Sequence, residues 1–335
     1  MRAYVVTEPH TGAVQEVAAP VASPGHVVVD VHRVGVCGTD VEFFTGEMAY
    51  LYQGHAHYPM RLGHEWAGVV SALGHGVDPA WLGRRVTGDT MIGCGRCARC
   101  LSGRRNVCAD RTEIGIRGGL PGALAEQLAV PASALLALPD AVDDAAGAMV
   151  EPGGNALRAV LSAGLAKGDR ALILGTGTIG LLAAEFARAQ GAEVHLMGES
   201  EQTLGFARAL GFPGVWTRAE LPALPWDAVI DASNAPTLPA LALDLVEPGK
   251  RVVYIGIAGV PSLVDTRTML LKDVTAVGIL AGSPSLAQTI EHYAAGDVDP
   301  RPLVSATVGL DHVGEILAGT RPAGSGPKIH IDPRI

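Results

Sequence analysis

The stretch Leu172-Ile-Leu-Gly-Thr-Gly-Thr-Ile-Gly180 constrains this chain more than any other. Ala171 to Leu174 is a short apolar run, as expected of a buried parallel strand, and Leu181 to Gln190 reads as a helix. Between them, Gly175, Gly177 and Gly180 form Gly-x-Gly-x-x-Gly. In a dinucleotide site the first glycine makes the tight turn, the second lets backbone approach a pyrophosphate, and the third lets helix and strand pack closely. The free N–H groups of the helix N-terminus then face the phosphates. The triplet alone fits many glycine-rich turns. The strand before it, the helix after it and a second strand at Glu193 to Met197 make it a nucleotide-binding turn. Thr176, Thr178 and Ile179, which lie between the glycines, are assigned to the same cofactor site.

The 335 residues allow two domains, each with its own core. Hydrophobic residues make up 48% and charged residues 18%, so the chain is globular rather than disordered. A net charge of −9 argues against general nucleic-acid binding. No apolar run approaches the ~20 residues of a membrane-spanning helix. The N-terminus, Met1-Arg-Ala-Tyr-Val-Val, leads straight into strand-like sequence, so a cytoplasmic location is the expectation. In that reducing setting the five cysteines are expected to bind metal rather than to form disulfides.

Residues 1 to about 90 read as β-rich, with Val27-Val-Val-Asp-Val-His-Arg-Val and Trp66-Ala-Gly-Val-Val-Ser-Ala as strands. A cysteine- and arginine-rich insert follows at 91–112. Helical sequence from Asp143 to Leu165 is interrupted at Glu151-Pro-Gly-Gly154, where a helix must break or restart. Apolar strands then recur at 171–174, 193–197, 227–231, 251–256 and 274–280, with helices such as Glu201 to Leu210 and Leu238 to Leu245 between them. This alternation predicts a doubly wound parallel sheet. The segments after 284 do not continue the rhythm. The expected division is a catalytic domain over 1–151, a cofactor domain over 152–283 and a return to the catalytic domain over 284–335.

Cys94, Cys97, Cys100 and Cys108 have the spacing C-x2-C-x2-C-x7-C. Four thiolates this close can close a tetrahedral zinc site, and with no open position that zinc is structural. Nearby Arg96, Arg99, Arg104 and Arg105 are expected to offset its negative charge. One cysteine remains, Cys37 in Gly35-Val-Cys-Gly-Thr-Asp40, with Gly63-His64-Glu65 downstream. A catalytic zinc needs about three protein ligands and an open position. Cys37 and His64 supply two. Glu65 and Glu151 are both candidates for the third. Asp40 is placed to accept the other imidazole N–H of His64 and so fix its tautomer.

Taken together, Gly35-Val-Cys-Gly-Thr-Asp40, Gly63-His-Glu-x-x-Gly68, the four-cysteine lobe, Glu151-Pro152 and the glycine turn are similar, in order, to the motifs of the zinc-dependent medium-chain dehydrogenase/reductase superfamily. The resemblance spans the chain and lies near the polyol, threonine and glucose dehydrogenase branches. It implies an α/β architecture in which a GroES-like catalytic domain carries an inserted Rossmann domain. It implies two zinc ions per chain and NAD as cofactor, with NADP the alternative. By resemblance Cys37, His64 and Glu151 are catalytic-zinc ligands, Glu65 an exchanging or water-linked one, and Thr39 the hydroxyl that takes the substrate's proton. The implied reaction is reversible oxidation of a secondary alcohol (polyol, sugar or amino-alcohol) to a ketone by hydride transfer. The alternative is a zinc-free, enone- or quinone-reductase-like member of the superfamily, or a non-catalytic binding protein. Partners are expected to be a small alcohol and further copies of the chain, in a dimer or tetramer.

Two positions depart from the family pattern. Glu42 stands where a relay histidine is common. Gly198 occupies the place of the aspartate that usually holds the ribose, followed by Glu199 and Ser200. Loss of that carboxylate often accompanies NADP use, but no basic residue follows until Arg208, so Glu199 or Ser200 is expected on the ribose of NAD. The loop from Phe43 to Met60, rich in tyrosine and histidine, is expected to border the substrate pocket.

Overall fold

The computed structural model describes residues 1–335 apart from Ala323 and Ser325. Two sheets organise it. The first runs Val304–Val308, Lys328–Ile331, His26–Gly35, Glu65–Leu73, Arg85–Gly88, Leu135–Ala137, with Gln127–Pro131 also paired to His26–Gly35. His26–Gly35 is its hub, hydrogen-bonded to three neighbours. Its run of valines buries side chains on both faces, because the sheet curls around Val29, Val31, Trp66, Leu128 and Ile331.

The second sheet is six-stranded and wholly parallel. Its order is Gly214–Trp216, Glu193–Met197, Arg170–Leu174, Trp226–Asp231, Val246–Tyr254, Thr275–Gly278. The order reverses between Arg170–Leu174 and Trp226–Asp231, and the glycine turn sits at that switch point, where nucleotides bind in such sheets. Ile173, Leu196, Ile230 and Val253 face one layer of helices, while Leu172, Leu174 and Val252 face the other. The three-residue strand Gly214–Trp216 was not expected: it is too short to show a period of its own and is recruited by pairing with Glu193–Met197.

Two helices meet at Met149, Asp144–Ala148 and Val150–Ala163. The restart expected near Pro152 is there, but the second helix begins before the proline. Pro152 falls in the first turn, where its missing N–H costs no intrahelical bond. Helix Leu286–Ala295 packs on Val150–Ala163 within the same core cluster. The chain rejoins the first sheet from Val304 onward. No helix among the described residues is long and apolar enough to cross a membrane.

Candidate active site and metal centres

The lobe at 94–108 brings the sulfurs of Cys94, Cys97, Cys100 and Cys108 within 4.8 Å of one another. Cys97 and Cys108 are 3.8 Å apart, and Zn–S bonds of 2.3 Å in a tetrahedron give an S···S edge of about 3.8 Å. Backbone N–H groups of Arg96 and Cys97 pull the Cys94 thiol down to about 6. Burial and the neighbouring thiols push Cys100 up to about 11. Four such thiols do not all ionise without a dication among them, so this donor set fits zinc. Two of the arginines also have backbone partners. Arg99 donates to Val107 O at 3.0 Å, within the lobe, and Arg105 to Ser133 O at 3.1 Å, outside it.

The second centre joins distant segments. Cys37 is the N-cap of helix Gly38–Thr45, and His64 directly precedes strand Glu65–Leu73. Ligand atoms of Cys37, His64 and Glu65 lie within 4.8 Å of one another. Asp40, fully buried, organises the approach. Its carboxylate accepts the backbone N–H of Cys37 (2.9 Å) and of Gly63 (3.1 Å), and faces His64 Nδ1 at 3.4 Å. Thr90 Oγ1 anchors the carbonyl of His64 at 3.0 Å. Burial opposes charge on both partners. Even so, His64 and the two N–H donors hold the Asp40 carboxyl below its usual range, while Asp40 and Cys37 hold the His64 imidazole well above 6.5. The imidazole is thus oriented by a carboxylate, as metal-binding histidines commonly are.

Glu65 is buried against Lys328, whose Nζ donates to both carboxylate oxygens (2.7 and 2.8 Å) and to Val36 O (3.0 Å). Lys328 and Glu65 are 3% and 1% exposed. No sequence signal marked Lys328: it stands 263 residues from Glu65, and only the pairing of Lys328–Ile331 beside His26–Gly35 brings it in. Gly35 makes room, since a Cβ there would lie 2.1 Å from Glu65 Oε2.

Glu151, in the first turn of Val150–Ala163, stands outside the tight set but faces it: His64, Glu65 and Lys328 all act on its charge. Burial is the main cause that pushes its carboxyl up to about 7. Asn155, one turn on, donates to Glu151 Oε1 at 3.0 Å. Thr39 is half-buried in the first turn after Cys37. In the neighbouring loop the tyrosine hydroxyls are already engaged. Tyr50 accepts from Arg111 at 3.1 Å, Tyr52 donates to Gly46 O at 2.8 Å, and Tyr58 donates to Phe43 O.

At the glycine turn each residue does a different job. Gly175 has φ +108, and a Cβ there would press on Ala232 O. A Cβ on Gly180 would lie 2.0 Å from Gly175 O, so helix and turn could not close. Gly177 caps helix Thr178–Ala189 with open space before it, room for a pyrophosphate. Thr178 and Ile179 form the first helical turn. Gly198 is buried, and a side chain there would collide with Thr176 Oγ1 (2.6 Å), which donates to Thr203 Oγ1 at 2.7 Å. Glu199 and Ser200 are exposed, and Ser200 Oγ accepts the N–H of Thr203 at the start of helix Glu201–Ala209. Arg208 is paired with Glu201 at 2.6 Å.

A nucleotide-type sheet facing a cysteine- and histidine-bearing metal cleft defines a metal-dependent oxidoreductase. Comparison agrees. Residues 23–140 match the alcohol dehydrogenase GroES-like domain, and residues 178–295 match the zinc-binding dehydrogenase family. The L-threonine 3-dehydrogenase of Deinococcus deserti is 31% identical over 87% of both chains. The starvation-sensing protein RspB of Escherichia coli K12 is 27% identical over 95% of both. A crystal structure described as a short chain alcohol dehydrogenase from E. coli CFT073, complexed with NADH, superposes with a TM-score of 0.91 at 25% identity over 99% of both chains. A zinc-binding dehydrogenase of Sinorhizobium meliloti 1021 bound to NADP gives 0.90 at 27% identity, also over 99% of both. This chain belongs to the zinc-containing medium-chain alcohol dehydrogenase superfamily. It has the structural four-cysteine site and the catalytic Cys/His/Glu site of a zinc- and NAD(P)-dependent alcohol dehydrogenase.

Proposed function

We propose that this enzyme oxidises the secondary alcohol of a polyol, sugar or amino-alcohol to a ketone, with Cys37, His64 and Glu151 holding the catalytic zinc and Glu65 exchanging onto it. The convergence of Cys37, His64 and Glu65 within 4.8 Å, beside the helix that bears Glu151, carries this reading. When bound, zinc supplies the Lewis acidity that lowers a hydroxyl pKa, and the nicotinamide supplies the hydride acceptor. The chain does the rest. Asp40 fixes the His64 tautomer and leaves Nε2 for the metal. Lys328 donates to both oxygens of Glu65 and balances its charge. Thr39 takes the substrate's proton and passes it outward, and Glu42, one turn later on the same helix, receives it.

Within that class we favour an amino-alcohol. The curated relatives named L-threonine 3-dehydrogenase point the same way. For the nucleotide we favour NAD, with Glu199 or Ser200 on the ribose, because Arg208 is occupied by Glu201. NADP is the alternative.

We further propose a homo-oligomer, dimer or tetramer, in the cytoplasm. The free edge Thr275–Gly278 and exposed Leu263, Leu270 and Leu271 nearby are surfaces that a second copy would cover. For the domains we take 1–151 as catalytic, 152–283 as cofactor-binding and 284–335 as the return.

The test is a screen of polyols, sugars and amino-alcohols with NAD and NADP, following reduced nicotinamide, alongside a metal count. Turnover with about two zincs per chain supports the reading. A single zinc and no turnover would favour a zinc-free reductase or a binding protein.

A further inference from the structure

Asp89 lies where three parts of the molecule meet. It follows strand Arg85–Gly88 and is buried. Its Oδ1 accepts the backbone N–H of Met91 (3.0 Å) and the hydroxyl of Ser283 (2.8 Å), a residue 194 positions away at the end of the nucleotide-type sheet. Its Oδ2 faces Arg105 Nε at 3.9 Å. Arg105 belongs to the four-cysteine lobe and packs tightly there: a Cβ on Gly93 would meet both Cys100 Sγ (2.6 Å) and Arg105 Cβ (3.0 Å).

The other side of Ser283 is equally confined. Arg158 donates to Ala281 O at 2.6 Å. Gly282 lies so close to the helix Val150–Ala163 that a Cβ would sit 2.6 Å from Asn155 N and from Gly154 C. The segment 281–283 is therefore clamped between that helix and Asp89. Asn155, which it touches, holds the Glu151 carboxylate.

We propose that Ser283 and Asp89 are positioning residues: their hydrogen bond ties the structural-metal lobe to the helix turn carrying Asn155 and Glu151, and so sets how Glu151 meets the catalytic metal. The route is contiguous, from the Cys100 loop through Arg105, Asp89, Ser283 and Gly282 to Asn155 and Glu151. It gives the four-cysteine lobe a role in the chemistry beyond stability. The proposal rests on the reading of Glu151 as a ligand of the catalytic zinc.

The test uses the zinc-loaded full chain and the variants Ser283→Ala, Ser283→Thr, Asp89→Asn and Glu151→Gln. Outer contacts of this kind change metal affinity by about 10–100-fold, and Ser283→Ala, one contact further out, is expected near the lower end. Chelator should strip the catalytic zinc from Ser283→Ala about tenfold more readily, while the four-cysteine zinc is retained as in wild type. Turnover should fall through kcat rather than KM for the nucleotide, and Ser283→Thr should restore both readouts. Asp89→Asn keeps an amide oxygen that can accept the Ser283 hydroxyl, so it should retain the catalytic zinc better than Ser283→Ala does. Should Asp89→Asn fail to fold, Ser283→Ala and its threonine rescue decide by themselves. The proposal is overturned if Ser283→Ala keeps wild-type zinc retention and kcat, or if it only lowers the melting temperature. If Glu151→Gln keeps its catalytic zinc, the ligand reading itself fails, whatever Ser283 does.

Discussion

The two metal centres were built in opposite ways. The four-cysteine lobe draws every ligand from residues 94–108 and needs only a local turn to close. The cleft centre draws Cys37 from a helix cap and His64 and Glu65 from the start of a strand, and Lys328 from near the C-terminus holds Glu65. A site closed by four identical soft ligands serves stability. A site of three mixed protein ligands is the kind that leaves a coordination position for substrate.

The largest effect should separate them most sharply. Cys37→Ala is expected to lower turnover at least 10³-fold, because the several kcal/mol of charge stabilisation attributed to a catalytic metal goes with it. The zinc content should drop from about two per chain to about one, with the melting temperature nearly unchanged. Near-normal activity in this variant would break the contrast outright.

Cys97→Ala should do the reverse. The lobe's folding is coupled to its metal, so the melting temperature or soluble yield should fall markedly. A melting curve that overlays wild type would show that the lobe needs no metal.

Lys328→Met leaves the Glu65 carboxylate buried and unpaired, which typically costs about 3–5 kcal/mol. Denaturant unfolding should register that loss, and adding Glu65→Gln should recover most of it. If the single variant is as stable as wild type, the buried pair is not what holds Glu65 in place.

A fourth prediction concerns pH. The Glu151 carboxyl is raised to about 7 in the metal-free fold, against 4.5 when unperturbed. Its neutral form is the one the fold prefers, so its contribution to stability is complete below 4.5 and is lost as pH rises through about 7. Zinc needs the ionised form, so cleft-metal affinity should weaken as pH falls below about 7. Glu151→Gln should flatten the first trend in melting scans of the chelated protein. A profile identical to wild type would place the titration elsewhere.

The smallest effect is expected at the ribose. A hydrogen bond to a charged group is worth about 1.5–3 kcal/mol, so Glu199→Ala should raise the KM for NAD roughly ten-fold or somewhat more. The KM for NADP should change less. Equal changes for both nucleotides would remove Glu199 from the ribose.

Much of this was legible before any coordinates. The glycine turn, five of the six nucleotide-sheet strands and helix Leu238–Leu245 are local patterns, and local patterns are written in consecutive residues. Asp40 was also readable, because it caps the same turn that starts at Cys37. The strand Gly214–Trp216 was not, since three residues carry no period and its state comes from its neighbour. The internal use of the loop tyrosines was equally hidden, because Arg111 and Phe43 are reached only by folding.

From sequence alone came the chemistry: four thiolates at zinc spacing, a lone cysteine and histidine for an open metal site, and a glycine turn for a dinucleotide. The folded chain decided which carboxylate carries a lysine. Glu65 and Glu151 are equal candidates on paper. The difference is Lys328, which sheet pairing places in hydrogen-bond contact with both Glu65 oxygens, whereas the hydrogen-bond partner of Glu151 is Asn155, from its own helix.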